Sequence, residues 1–229
     1  MPPTSNPSNA DLSHFLTHPW CAALLSAPHT TLLPTPSRVP KESTEDSFFA
    51  VTLRTGDTIP FMLSFTSPRL VATAVTADAA AADPSTAPPA STAVVEQVST
   101  LFALREGVNG YPSTAHGGLT ASLFDEAMGV SMMRLRCSSS SPSSPSSSQP
   151  QGGGTGMDIV TASLKVDFLK RVETPGVVVV RVWVAERRGR RWVLEGEMVG
   201  WEGGEGGKEG KEVLVGRARA VWVEVRATL

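Results

Sequence analysis

The sequence predicts an α+β domain in which one long central helix is wrapped by a highly twisted antiparallel sheet. Three observations carry this expectation. Leu119, Leu123, Ala127, Val130 and Met133 form an apolar stripe at helical spacing, on a segment that ends near Arg136. The C-terminal third holds four Val- and Trp-rich strand candidates, at 158–170, 177–187, 191–201 and 213–226. The turns between these long strands are short, which means antiparallel pairing, and further strand candidates precede the helix.

In chain order, residues 1–9 are mostly Pro, Ser and Asn and have no reason to order. Phe15, Leu16, Trp20, Ala23 and Leu24 then recur at roughly helical spacing, and Pro19 can divide that stretch into two short helices. Pro34, Pro36 and Pro40 make a connector, so residues 1–44 read as an N-terminal extension and 45–229 as the main domain. Phe48 to Arg54 is a strand candidate, turned by Gly56-Asp57 into a second from Ile59 to Phe65. Residues 72–92 are nearly all Ala, Thr, Pro, Ser and Asp and read as a linker-like insertion. Strand character returns from Val94 to Arg105, followed by a Gly/Pro/Asn loop. A second low-complexity insert, at about 137–156, has too little apolar surface to offset its ordering entropy. On the last strand Leu214, Gly216, Ala218, Ala220 and Trp222 share one face, where small residues let a helix approach closely.

Composition excludes several classes. The chain has 229 residues, with 41% hydrophobic and 18% charged side chains and a net charge of -2. That allows one globular domain with appendages and gives no electrostatic case for nucleic acid or an anionic membrane. Two cysteines, Cys21 and Cys137, cannot make a disulfide framework and fit a reducing compartment. No apolar run approaches the roughly 20 residues that span a bilayer, and no secretory leader or presequence pattern is evident. An intracellular, cytoplasmic address is expected, with a mitochondrial or peroxisomal one left open. Gly-x-Ser-x-Gly, Walker and paired Cys-x-x-Cys motifs are missing. His14 and His18 have a chelating spacing but no acidic partner, so no metal is expected.

The string His116-Gly117-Gly118-Leu-Thr-Ala-Ser-Leu-Phe-Asp125-Glu126-Ala-Met-Gly129 resembles the helix-start motif of the PaaI-type hotdog-fold thioesterases. The preceding Leu101-Phe-Ala-Leu and Asn109-Gly-Tyr-Pro, and the following run from Thr161 to Arg171 with Thr174-Pro-Gly, are similar to that family too. Phe15, Pro19-Trp20-Cys21 and Asp46-Ser-Phe-Phe-Ala-Val-Thr-Leu resemble the subgroup found in filamentous fungi.

The resemblance implies a hotdog fold and hydrolysis of an acyl thioester, most often acyl-CoA, to free acid and CoA. It implies no metal or resident cofactor, coenzyme A being part of the substrate. Carried over by position, Asp125 would be the catalytic carboxylate, acting as base or nucleophile. Gly117, with Gly118 beside it, would offer a backbone N–H to the thioester oxygen. His116 would line that carbonyl site, and Thr161 would orient water or hold Asp125. Some members carry an Asn six residues before the His; here Asn109 lies one residue further away, which leaves its role open.

These residue types suit the chemistry. Thioester hydrolysis passes through an oxyanion, and the first N–H groups of a helix are unpaired and carry the positive end of its dipole. Asp125 is eight residues beyond Gly117, hence about 12 Å further along one helix. One carbonyl carbon cannot easily touch both. Either the groups do different jobs or a second chain completes the site, for which a homodimer, or a dimer of dimers, is the natural solution.

Plainer readings compete at several positions. Gly117-Gly118 can be a tight helix entry and Thr161 an ordinary strand residue. Arg187, Arg188, Arg190 and Arg191 suit the phosphates of coenzyme A or merely a solvated hairpin tip. A thioesterase acting on a carrier-protein-bound acyl chain, or a non-catalytic acyl-binding or assembly protein, are the functional alternatives.

Overall fold

The computed structural model describes residues 9–73, 91–139, 157–203 and 210–226. Helices α1 (Asn9–Leu16) and α2 (Pro19–Leu25) come first, with Pro19 at the first position of α2, where its missing N–H costs nothing. Then follow strands β1 (Thr31–Leu33), β2 (Met62–Thr73), β3 (Ser91–Leu104), β4 (Asn109–Tyr111) and β5 (Thr114–Ala115). The long helix α3 (Gly117–Ser139) precedes β6 (Met157–Phe168), β7 (Gly176–Arg188), β8 (Arg191–Glu202) and β9 (Lys211–Arg226). No helix among the described residues is long and apolar enough to cross a membrane.

Seven strands form one antiparallel sheet in the order β1-β2-β3-β7-β8-β9-β6. This is the expected helix-and-sheet arrangement, the hotdog fold. The strand that follows α3 closes one edge, while β3 and β7 meet in the middle across most of the domain. α3 packs against β3, β6, β7 and β8.

Both faces of the middle strands are apolar, and alternation divides them cleanly. Phe102, Leu104, Val178, Val180 and Val182 point to the α3 side, where they meet Leu123, Phe124, Ala127 and Met128. Leu101, Ala103 and Val179 point the other way, to Phe15, Trp20 and Cys21. Antiparallel strands covered on both faces lose the polar half of their alternation. The N-terminal helices are therefore the second layer of the sheet. Trp20 stacks on Trp201 with centroids 5.5 Å apart, and His14 stacks on Phe61 at 4.1 Å. Burial is the main influence that pushes the His14 imidazole below its usual range, so it packs there as a neutral ring. Burial likewise pushes the Cys21 thiol up to about 12.

Three expectations need correction. Phe48 to Arg54 is not a strand: Phe48–Thr52 is a π-helical turn. Phe49, Ala50 and Leu53 are buried while Phe48 and Val51 are exposed, a spacing of three to four rather than two. Arg38 holds the turn in place, its guanidinium donating to the carbonyls of Phe49 (2.9 Å), Ile59 (2.7 Å) and Pro60 (3.3 Å). Leu214 leaves the α3 face, because a register shift beside Met198 and Val199 puts it with the outer cluster and Val215 in the inner one. The β2–β3 ladder runs out to Thr73 and Ser91, so the first insert is shorter than its composition suggested. The centres of both inserts, 74–90 and 140–156, and residues 1–8 lie outside the described residues.

Phe15 is fully buried between α1 and the sheet. Phe15→Ala should cost about 3–5 kcal/mol in urea unfolding followed by far-UV circular dichroism. A loss below about 1 kcal/mol would show that the helices are a detachable appendage rather than a layer.

Candidate functional site

Helix α3 begins on a side-chain cap. His116 is held by its own N–H to the Val108 carbonyl (2.9 Å), and its carbonyl accepts the Thr120 N–H (3.0 Å). Its Nδ1 accepts the N–H of Gly118 at 2.9 Å. An imidazole that accepts at Nδ1 carries its proton on Nε2, so an N–H faces away from the helix. Gly110 makes room for the ring, since a Cβ there would stand 2.9 Å from His116 Cδ2. Gly118 thus has its amide engaged by His116, whereas the Gly117 amide has no hydrogen bond among the described residues. At this end of α3 two donors have no hydrogen-bond partner among the described residues, the Gly117 N–H and the His116 Nε2–H.

Asn109 is not part of that pair. Its Oδ1 accepts the Thr174 hydroxyl, which ties the β4 strand to the turn before β7. Ala115 N–H to Val172 O (2.9 Å) and Thr174 N–H to Ser113 O (3.2 Å) complete the clasp.

Asp125 lies two turns further along, half-buried. Thr161 Oγ1 donates to its Oδ1 at 2.8 Å. A register shift between Thr161 and Ser163 in the β6–β9 pairing sits beside this threonine, a device that re-aims a strand side chain. Both residues line a cleft of about 1030 Å³. Its apolar walls include Phe48, Val130, Met132, Val160, Leu164 and Trp222. Gly117 opens instead on a separate depression of about 380 Å³ with Phe168, Lys170 and Arg171. Within one chain the structure brings Asp125 and Thr161 together, and leaves His116, Gly117 and Gly118 apart from them.

The arginines occupy the β7–β8 hairpin tip. Arg187 lies over the Trp192 ring at 4.1 Å, and Arg188 pairs with Glu186. Arg188, Arg190 and Arg191 line a shallow depression with Val223 and Glu224. Arg191 is opposite Val223, which is opposite Val160 of the Asp125 cleft. The basic tip therefore stands two strand spacings, about 10 Å, from the cleft wall.

Sequence reasoning missed Glu126 and Ser37. Ser37 is buried in a tight turn, and its hydroxyl donates to the Glu126 carboxylate across 89 residues of chain. Both line the Asp125 cleft. Burial, opposed by the Ser37 bond, pushes the Glu126 carboxyl up to about 7, and the Asp46 and Asp125 charges add to the rise. No spacing rule connects residues so far apart; the only sequence signal was an acid inside an apolar helix.

Residues 112–206 match the family model of the thioesterase superfamily. That segment contains His116, Gly117, Asp125 and Thr161, and the match supports a thioester hydrolase. A comparison with curated proteins found no match. Among solved structures, the chain is similar to a thioesterase family protein from Silicibacter pomeroyi, at 15% identity over 57% of this chain and 78% of that one, TM-score 0.42. It is also similar to a hypothetical thioesterase protein with coenzyme A from Streptococcus pneumoniae TIGR4, at 16% identity over 58% and 81%, TM-score 0.40.

The Glu126 carboxyl has a stability signature. It keeps its proton to about pH 7 when folded, well above the ordinary carboxylate range near 4.5. Between those limits the folded chain binds more protons than the unfolded one, so this group's contribution falls as pH rises. Glu126→Gln should raise Tm at pH 8 by roughly 3–6 °C more than at pH 5. Equal shifts at both pH values in calorimetric scans would contradict the burial of this acid.

Proposed function

We propose that this protein hydrolyses acyl-CoA thioesters to free acid and CoA, with Asp125 as the working carboxylate. One observation carries the reading: Thr161 holds Asp125 at the wall of a large cleft that also presents an apolar wall of Phe48, Val130, Met132, Val160, Leu164 and Trp222. An acyl chain fits such walls, and Asp125 can take a proton from the attacking water or attack the carbonyl carbon itself. The C–S bond then breaks, and the sulfur leaves to become the thiol. The basic hairpin tip, about 10 Å away, suits the phosphates of coenzyme A.

The oxyanion needs donors that one chain keeps elsewhere, which supports a homodimer. β6 is a twelve-residue edge strand, and exposed apolar side chains at Val160 and Phe168 accompany an edge that no other strand among the described residues pairs with. Such an edge is a template for a second strand. Antiparallel pairing of two β6 strands about their middle would set Phe168 of one opposite Met157 of the other, at the end where Asp158 to Thr161 line the cleft. A Cβ at Gly117 would be 3.7 Å from the Phe168 ring, so Gly117 and His116 travel with that end. They would thereby reach the partner's Asp125 cleft.

Thiol release from hexanoyl-, palmitoyl- and benzoyl-CoA tests the activity. Asp125→Asn should lower kcat by about 10² to 10⁴ with the fold retained, and Thr161→Ala by roughly 10- to 100-fold, the loss of a positioning bond of about 1–3 kcal/mol. Equal turnover by wild type and Asp125→Asn would refute the assignment. His116→Ala and Asp125→Asn, each nearly inactive, should regain about a quarter of wild-type activity when unfolded together and refolded as a mixture. In a closed two-fold dimer about half the molecules are mixed and carry one intact site. No recovery, with mixed dimers present, means that catalysis is built within one chain.

A further inference from the structure

We propose that Gly129 and Phe48 set the acyl preference of the cleft, by keeping open a channel that takes an uncharged linear acyl chain of about six carbons or more and gives an acetyl group little to hold. The inference rests on Asp125 being the working carboxylate, and it names the acyl group and the residues that select it.

Gly129 is the first observation. It lies inside the 23-residue helix α3, where glycine is among the least favourable residues. Packing does not require it. Beyond the helix's own backbone, a Cβ there would meet one heavy atom of the described residues within 4 Å, Trp222 Cη2 at an ordinary 3.6 Å. Gly129 is one turn, about 6 Å, past Asp125, and it lines the same cleft half-buried. The missing side chain leaves a bare stretch of helix between the carboxylate and Val130, Met132 and Met133, which line the cleft further along.

Phe48 is the second. It also lines the cleft, yet its ring is 49% exposed. Its support is fixed: the Phe48 carbonyl accepts the Leu53 N–H at 2.8 Å, and Arg38 donates to the next carbonyl, that of Phe49, at 2.9 Å. The ring stands edge-on to buried Phe49 with centroids 5.3 Å apart. A rigid aromatic side chain with half its surface uncovered gains free energy when hydrocarbon covers it. Val51, in the same turn, is 54% exposed but does not line the cleft.

The spacing sets a length. A hydrocarbon with bonds of about 1.5 Å advances roughly 1.3 Å per carbon. From a carbonyl carbon beside Asp125, about five further carbons are needed to pass Gly129, and an acetyl group stops short of it. Glu45, Asp46 and Asp158 line the cleft as well. Their charges disfavour an acyl group with a second carboxylate and suit an uncharged tail.

The test is kcat/KM on acetyl- and decanoyl-CoA, read as the decanoyl-to-acetyl ratio, with Tm and assembly mass measured for each variant. Wild type should prefer decanoyl-CoA by about tenfold or more. Gly129→Ala should lower the ratio about tenfold while raising Tm by roughly 2–4 °C, because alanine is the better helix residue. Phe48→Ala should lower the ratio about five- to tenfold, whereas Val51→Ala should keep the wild-type ratio. Equal use of both esters by wild type, or an unchanged ratio in Gly129→Ala, overturns the proposal. A Tm below wild type in Gly129→Ala overturns it too, since packing would then explain the glycine. So does a lighter assembly, which would mean that a partner helix fills the space. Equal losses in Phe48→Ala and Val51→Ala would show an effect of the whole turn and remove Phe48 from the channel. Full activity in Asp125→Asn would instead remove the reading of Asp125 on which this selection rests.

Discussion

The closeness of α3 to the sheet is the constraint on which the rest depends. Phe124 and Met128 lie against Gly196, where a Cβ would come within 3.3 Å of both side chains, and Phe124 also meets Gly216 at 3.4 Å. Side chains at those two strand positions would lift the helix off β8 and β9. Asp125 follows Phe124 directly, so the depth at which Phe124 seats fixes how far the next carboxylate stands from Thr161. A bond of 2.8 Å between helix and strand tolerates almost no change in that spacing. Dense packing in the inner core thus transmits directly to the polar chemistry at its rim.

The N-terminal segment belongs to the same construction. It covers the outer face through Phe15, Trp20 and Cys21, adds β1 to the sheet edge, then turns inward to deliver Ser37 and Arg38 beneath the π-helical turn. One continuous stretch therefore serves both layers. The thioesterase-superfamily match begins only at residue 112, yet β3, which pairs with β7 at the middle of the sheet, lies wholly before it. The matched segment carries Asp125 and Thr161 but only part of the sheet that supports them.

Much of this was legible in the sequence, and for identifiable reasons. The long helix showed through its apolar stripe, and β6 to β9 through Val-rich runs broken by short turns. The two helices around Pro19 followed from the geometry of proline. The pairing of Thr161 with Asp125 came from a resemblance, because residues 36 positions apart on different elements share no local pattern. Phe48 to Arg54 misled because an apolar aromatic run suits a strand or a short helical turn equally well; a buried arginine eleven residues before Phe49 holds the helical turn. Leu214 misled because strict alternation cannot foresee a bulge. Glu126 was hidden by its neighbour: beside Asp125, a second acid reads as ordinary helix composition, and its buried partner Ser37 sits in a Pro-rich connector.

The sheet order also governs how the molecule must assemble itself. β7, β8 and β9 form a meander that can close locally, whereas β3 must find β7 and β6 must find β9 across long stretches of chain. Such non-local closures carry the loop entropy that slows folding. Both site bonds, Thr161 to Asp125 and Ser37 to Glu126, wait on them. A chain that has formed its meander and its helix, and nothing more, already has most of its secondary structure and neither Asp125 nor Glu126 held in position.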